Sequence, residues 1–254
     1  MSVIGVVSMK GGVGKTSTTA NIAWAASEQL GRDRVTVIDL DPQNGLHWHF
    51  GVDSEVTEGV CWHSLEGLNW ADARLPSEFG VNCIPYGDVG EPEREAFEIL
   101  LTNKPNWVGE QIQRSGLDRI GVVFIDTPPG PSVYLKQVFA CADLVLIVLL
   151  ADAGSYATIP AMESWLADMS LTFPKTRSIY VINQVDRNES LNRDVVELLQ
   201  QHLGTRLAPN LIHRDEAVGE ALAMQQPVLV YDPHGQASHD FRQLAMWAID
   251  TLNR

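Results

Sequence analysis

Two lysines, a threonine and three glycines stand together near the start of the chain, as Lys10-Gly11-Gly12-Val13-Gly14-Lys15-Thr16. These residue types at this spacing suit the binding of phosphate groups. Glycine lets backbone N–H groups converge on anionic oxygens with no Cβ in the way. Lys15 would reach the β- and γ-phosphates of a nucleotide, and the Thr16 hydroxyl would ligate Mg2+. The cradle expected from the spacing is Lys10, Gly11, Gly12, Val13, Gly14, Lys15, Thr16 and Ser17. A second group of candidates is acidic. Asp39 and Asp41 follow the apolar run Val35–Ile38, and Asp126 closes the run Ile120–Ile125. Carboxylates at the carboxyl ends of strands sit where ligands of open parallel sheets bind, although the same residues also end strands simply as turn formers. Asp126, with Thr127-Pro128-Pro129-Gly130 after it, reads as a holder of the Mg2+ water shell followed by a turn that senses the γ-phosphate.

The elements that position these residues are legible around them. Val3–Val7 leads into the loop and Ser17–Ala23 leads out, giving strand, glycine loop and helix. The helix N-terminus adds its partial positive charge to the loop. Its pattern runs to about residue 30 and closes at Gly31. Further strands are expected over 35–38, 81–85, 120–126, 144–150 and 179–183. Helices are expected over 91–115 with a break near Pro105, over 155–169, and over 238–252. This alternation predicts an α/β fold, a doubly wound and mostly parallel sheet with helices on both faces, in one domain spanning residues 1–254. Residues 45–116 read least clearly. They are rich in aromatics, and His47, His49 and His63 fall among them with no carboxylate or cysteine at ligand spacing, so packing or surface histidines are expected rather than a metal centre.

Composition narrows the partners. The formal charge is −14, from 32 acidic against 18 basic residues. Such a chain gains little from nucleic acid or an anionic bilayer unless its cations gather on one face. Cys61, Cys83 and Cys141 are scattered, which predicts buried free thiols. No apolar run reaches the length of a membrane span, and the start lacks the order of a signal peptide, so a cytoplasmic protein is expected.

The loop departs from the strict G-x-x-x-x-G-K-[ST] pattern, with Met9 in place of the first glycine and Lys10 ahead of the glycine pair. A plain glycine turn remains the bland alternative. In these residues the chain resembles the deviant Walker A ATPases, the family of ParA and MinD. The resemblance extends through Asp39-Leu40-Asp41-Pro42-Gln43, the Asp126 strand, and the late run Arg214-Asp215-Glu216-Ala217, Pro227-Val228, Tyr231-Asp232. It implies slow ATP hydrolysis with Mg2+, coupled to a homodimer that holds ATP at its interface. Asp39 would then lie near the Mg2+ shell, Asp41 would orient the attacking water, and Lys10 would reach across to the partner's phosphates. Asn183 would contact the adenine, although by itself it reads equally as a cap or turn residue. Within the family, Gly67–Ala73, Ile84–Gly87 and Leu211–Ala217 are most similar to the branch tied to bacterial cellulose secretion. That resemblance implies cellulose synthase secretion components as partners, with inner-membrane association through them. From the residues of the last helix itself, no basic amphipathic segment of the MinD kind is expected after it. DNA segregation and the positioning of a polar organelle or flagellum are the competing roles, and the acidic charge weighs against the first.

Overall fold

The computed structural model describes residues 2–52 and 58–252. Seven strands form among the described residues, most of them from runs of branched apolar residues: β1 (Ser2–Val7), β2 (Val35–Asp39), β3 (Leu75–Pro76), β4 (Val81–Ile84), β5 (Val122–Asp126), β6 (Leu144–Leu150) and β7 (Arg177–Asn183). They join in one sheet of order β3-β4-β2-β5-β1-β6-β7. Every described pairing is parallel except that of β3 with β4. The expected doubly wound α/β architecture is therefore what forms.

The helices are α1 (Lys15–Leu30), α2 (Val60–Leu65), α3 (Glu91–Asn103), α4 (Trp107–Arg114), α5 (Leu117–Ile120), α6 (Val133–Cys141), α7 (Ala153–Thr172), α8 (Ser190–Leu203), α9 (Ala217–Ala223), α10 (Val228–Tyr231) and α11 (Gln236–Leu252). They cover both sheet faces because the strands are apolar on both. Along β1, Val3 and Val7 face one layer with Phe97, Leu135 and Ile159, while Ile4 and Val6 face the other with Ile22 and Phe241. The side-chain period of two in a strand thus divides the core in two. On the second face α1 is tied to the C-terminal part, where Asn21 Oδ1 accepts the Val228 N–H at 2.8 Å.

Most expected boundaries hold within two residues, and two departures have physical reasons. Ile120 closes the short turn α5, so β5 begins only at Val122. The edge strand β3 was not expected. It is two residues long, and Pro76 fits only at a sheet edge, where a missing donor breaks no ladder. The break expected near Pro105 separates α3 from α4. The three cysteines are free and buried, and burial pushes the Cys61 thiol up to about 11. Ile249 is buried and Trp247 packs against the same layer, as core residues should. No helix among the described residues is long and apolar enough to cross a membrane.

Candidate nucleotide site

The chain leaves β1 at Val7, between β5 and β6, and turns at once into the phosphate loop. Gly12 and Gly14 hold φ of +74° and +81°, in the left-handed region that glycine tolerates. A Cβ on Gly14 would also lie 2.5 Å from Asn183 Nδ2. That residue therefore needs glycine for two reasons, backbone and space. The loop hands over to α1 at Lys15, so the free N–H groups of the first turn face the loop's hollow. There is no acidic residue in that turn.

Lys15 is 7% exposed. It makes no ion pair or hydrogen bond through its ammonium among the described residues. Its charge acts instead on the nearby carboxylate of Asp126. Next to it, Thr16 Oγ1 donates to Asp126 Oδ2 at 2.7 Å, and Thr19 Oγ1 donates to Asp126 Oδ1 at 3.0 Å. Asp126 is fully buried and lies beside Asp39 in the strand register. Burial raises the Asp126 carboxyl above its ordinary range, and outweighs the opposing charge of Lys15 and the two hydroxyls. Asp39 is raised well above the usual carboxylate range, first by burial and then by the charge of Asp126. Two buried carboxylates with raised affinity for protons, beside a hydroxyl and the Lys15 ammonium, form an oxygen-rich site suited to a hard cation that accompanies phosphate.

Asp39 has a further task that the sequence did not reveal. Its Oδ1 accepts the Asp41 N–H at 2.9 Å and its Oδ2 accepts the Leu46 N–H at 3.0 Å. It therefore fixes the whole turn that carries Asp41. Asp41 itself is half-buried and accepts the Gln43 N–H through Oδ1 at 3.0 Å. The turn after Asp126 is tied to the phosphate loop, because Gly130 N–H donates to Ser8 C=O at 2.8 Å. Asn183 ends β7 on the other flank and donates through Nδ2 to Val13 C=O at 2.8 Å.

Lys10 stands apart from the rest of the cradle. Its ammonium is 2.8 Å from Asp152 Oδ2, with both side chains about 40% exposed (40% and 39%). Asp152 caps α7, accepting the Ser155 N–H. Burial would raise the Asp152 carboxyl, but Lys10 and the cap outweigh it and hold it below the ordinary value. Sequence reasoning missed Asp152, although it follows the apolar run of β6 just as Asp39 and Asp126 close theirs. It also missed the pair of His213 with the buried Asp240, whose partners are 27 residues apart. The loop, Asp39, Asp41, Asp126 and Asn183 all gather at the carboxyl edge of the sheet. His47, His49 and His63 are buried, and no cluster of metal-binding type occurs among the described residues.

The model of the cellulose biosynthesis protein BcsQ family matches residues 1–249. The cellulose biosynthesis protein BcsQ of Salmonella typhimurium is 30% identical over 256 residues, covering 98% of this chain and 94% of that protein. The chromosome-partitioning ATPase Soj of Thermus thermophilus is 28% identical over 250 residues, covering 95% and 93%. Among solved structures, the septum site-determining protein MinD of Pyrococcus horikoshii, in complex with Mg-ADP, superposes with a TM-score of 0.74 at 22% identity. It covers 99% of this chain and 97% of that one, and the likeness is one of fold. The ParA and MinD type of sheet, the deviant loop and the match along nearly all of the sequence agree with one another. The chain belongs to the BcsQ family of cellulose biosynthesis proteins.

Proposed function

We propose that this protein is a Mg2+-dependent ATPase switch, a single domain that pairs into a homodimer around ATP and serves the assembly of the bacterial cellulose secretion machinery. The observation that carries the reading is Lys15, a buried side chain at the N-terminus of α1 whose ammonium is in no ion pair or hydrogen bond among the described residues. Its Nζ would neutralise the β- and γ-phosphates while the N–H groups of Gly11, Gly12, Val13 and Gly14 surround them. Thr16 would exchange its hydrogen bond to Asp126 for a place beside the cation, with Asp126 holding the cation's water shell and Asp39 bracing the turn behind it. Bound Mg2+ would supply neutralisation of charge that grows on the phosphates during transfer.

Asp41 would hold a water in line with the γ-phosphorus, and cleavage would yield ADP and phosphate. Lys10 would leave Asp152 and reach the phosphates of the partner protomer, as a cation supplied in trans. Nucleotide state then sets oligomer state by linkage, because ATP binds a face that only the dimer completes. The tie from Gly130 to Ser8 gives the turn after β5 a route to sense the γ-phosphate. The family membership supports a role in cellulose secretion, with secretion components as partners and the inner membrane reached through them.

Size-exclusion chromatography with light scattering, under ATP, ADP and no nucleotide, tests the switch. A dimer with ATP alone is expected, and an unchanged monomer in all three states would overturn it. Repeating the ATP run with nonspecific duplex DNA separates this role from DNA segregation, since little binding is expected at physiological salt. In the native host, deletion is expected to reduce cellulose output and leave chromosome inheritance intact.

A further inference from the structure

The turn that carries Asp41 has two anchors, and only one of them belongs to the buried carboxylate pair. Asp39 grips the turn through the N–H groups of Asp41 and Leu46. The second anchor is Asn44. Its backbone N–H donates to the Asp41 C=O at 2.8 Å and closes the turn. Its φ of +50° lies in the left-handed region, which asparagine adopts more readily than most residues. The side chain ties the turn to the chain leaving β4, where Oδ1 accepts the Tyr86 N–H at 2.9 Å and the Gly87 N–H at 3.3 Å. Backbone N–H groups only donate, so the atom that meets both is the amide oxygen and the side chain cannot be turned round. Among the described residues no other hydrogen bond joins residues 42–45 to β4 or to the chain that leaves it.

What Asn44 holds is itself fixed. Tyr86 is fully buried, and its hydroxyl lies 2.9 Å from that of Tyr134, which donates to Glu98 Oε1 at 3.2 Å. From the start of α2, Val60 N–H donates to Pro85 C=O at 2.9 Å and Cys61 N–H to Tyr86 C=O at 3.2 Å. Gly59 packs against the same stretch so closely that a Cβ there would run into Pro85 C=O and Gly87 N. Residues 85–87 are thus a stop on which the Asp41 turn leans.

We propose that Asn44 is a positioning residue for ATP hydrolysis: braced on Tyr86 and Gly87, it sets where the Asp41 carboxylate stands relative to the phosphate loop. This rests on the reading given above, in which Asp41 holds the attacking water. A group that aims a water must be held to a fraction of an ångström, and misplacement by about 1 Å can cost about a hundredfold in rate. Only the amide oxygen is used in the anchor. Aspartate would therefore keep both the acceptor and the left-handed turn, whereas glycine would keep the turn alone.

The test measures phosphate release at saturating ATP and Mg2+, and ATP affinity by calorimetry, on the intact protein. The variants are Asn44→Gly, Asn44→Asp, Asp41→Ala, and Asn44→Gly combined with Asp41→Ala. Asn44→Gly is expected to lower turnover about tenfold or more while ATP affinity stays within about threefold, the mark of a loss in the chemical step. Asn44→Asp is expected to stay within about threefold of the wild type in both. Added to Asp41→Ala, Asn44→Gly is expected to change turnover by less than about twofold, since a residue that acts through Asp41 has nothing left to place. Unaltered turnover in Asn44→Gly would overturn the proposal. So would an equal loss of ATP affinity, an equal loss in Asn44→Asp, or an equal further loss in the Asp41→Ala background. Should Asn44→Gly not fold, Asn44→Ser, whose shorter side chain cannot span to both N–H groups, takes its place under the same criteria. A wild type that binds no ATP or releases no phosphate would sink the nucleotide reading as well, whereas hydrolysis insensitive to Asn44 would sink only this proposal.

Discussion

At one end of the phosphate loop Lys15 is buried and makes no ion pair among the described residues, while at the other Lys10 is half exposed and joined to Asp152 at 2.8 Å. The same side chain is thus used in two opposite ways within one short loop. Lys15 is buried along its length with its ammonium in no hydrogen bond among the described residues, an arrangement that binding of an anion would complete. Lys10 rests on a partner it can give up, since an exposed ion pair contributes at most about 1 kcal/mol. A binding group gains from being fixed in advance, because little is lost when the ligand arrives. A group that must reach another molecule gains from a weak resting contact, because a strong one would compete with its target.

The sharpest way to break this comparison is Lys15→Ala. If Lys15 is the built-in phosphate partner, the variant is expected to lose ATP affinity by about a hundredfold or more, beyond what calorimetry resolves, since a charge-assisted contact in a desolvated site is lost outright. Near-normal affinity would make the loop a plain glycine turn. Next in size is Lys10→Ala. ATP affinity of the monomer is expected to stay within about threefold, while dimerisation with a slowly hydrolysed analogue weakens. Two symmetric contacts vanish from one isologous interface at roughly 1.5–3 kcal/mol each, so the dimer constant is expected to fall by about two to four decades. Sedimentation velocity reads this, and lost monomer affinity would instead place Lys10 on its own nucleotide.

On the proposed role of its carboxylate, acting on water in the chemical step, Asp41→Ala is expected to bind ATP and dimerise normally but to lower turnover by about a hundredfold. An unchanged phosphate-release rate would move that role elsewhere. The smallest expected effect sharpens the Lys15 end. Asp126→Asn removes one charge of the buried pair, so the unliganded variant is expected to melt a few degrees above the wild type at neutral pH. The sign follows from the raised carboxyls. Their stabilising contribution is full below the ordinary carboxylate value near 3.8 and is lost as pH rises through the higher folded-state value. The gap between variant and wild type should therefore open as pH climbs from about 4 toward 7. His49, pushed down to about 4 by burial, works in the opposite direction but equally in both proteins, and cancels from the difference. A gap independent of pH in a melting series would refute the electrostatic account.

The parts of this molecule that could be read from residues alone are those where local chemistry and fold coincide. Unbroken apolar runs such as Leu144–Leu150 are buried on both faces and need no partner to be recognised as strands. The loop is legible because glycine, lysine and threonine at this spacing suit a phosphate and the backbone turn together. Between residues 45 and 116 the order comes instead from contacts distant in sequence. Ser64 Oγ accepts from both Trp70 and Trp107 at 3.1 Å, and Tyr86, Tyr134 and Glu98 form a hydrogen-bonded chain that joins the loop after β4 to α6 and α3. No periodicity encodes such joints. Asp152 was within reach, as an acid just beyond a strand, but nothing in its neighbourhood names Lys10 as its partner.

The amide of Asn183 resting where Gly14 would carry a side chain has a consequence for transplantation. The seven-residue signature is only part of a working cradle. Its last glycine is shaped around a residue far along the chain, and its Val13 carbonyl is held by that same amide across 170 positions. Copied onto another strand–helix junction, the loop would keep its letters and lose its rear wall. A protein engineer who wished to move this phosphate cradle into a new scaffold would have to carry the end of β7 with it, and would need a sheet in which that strand lies two places from β1.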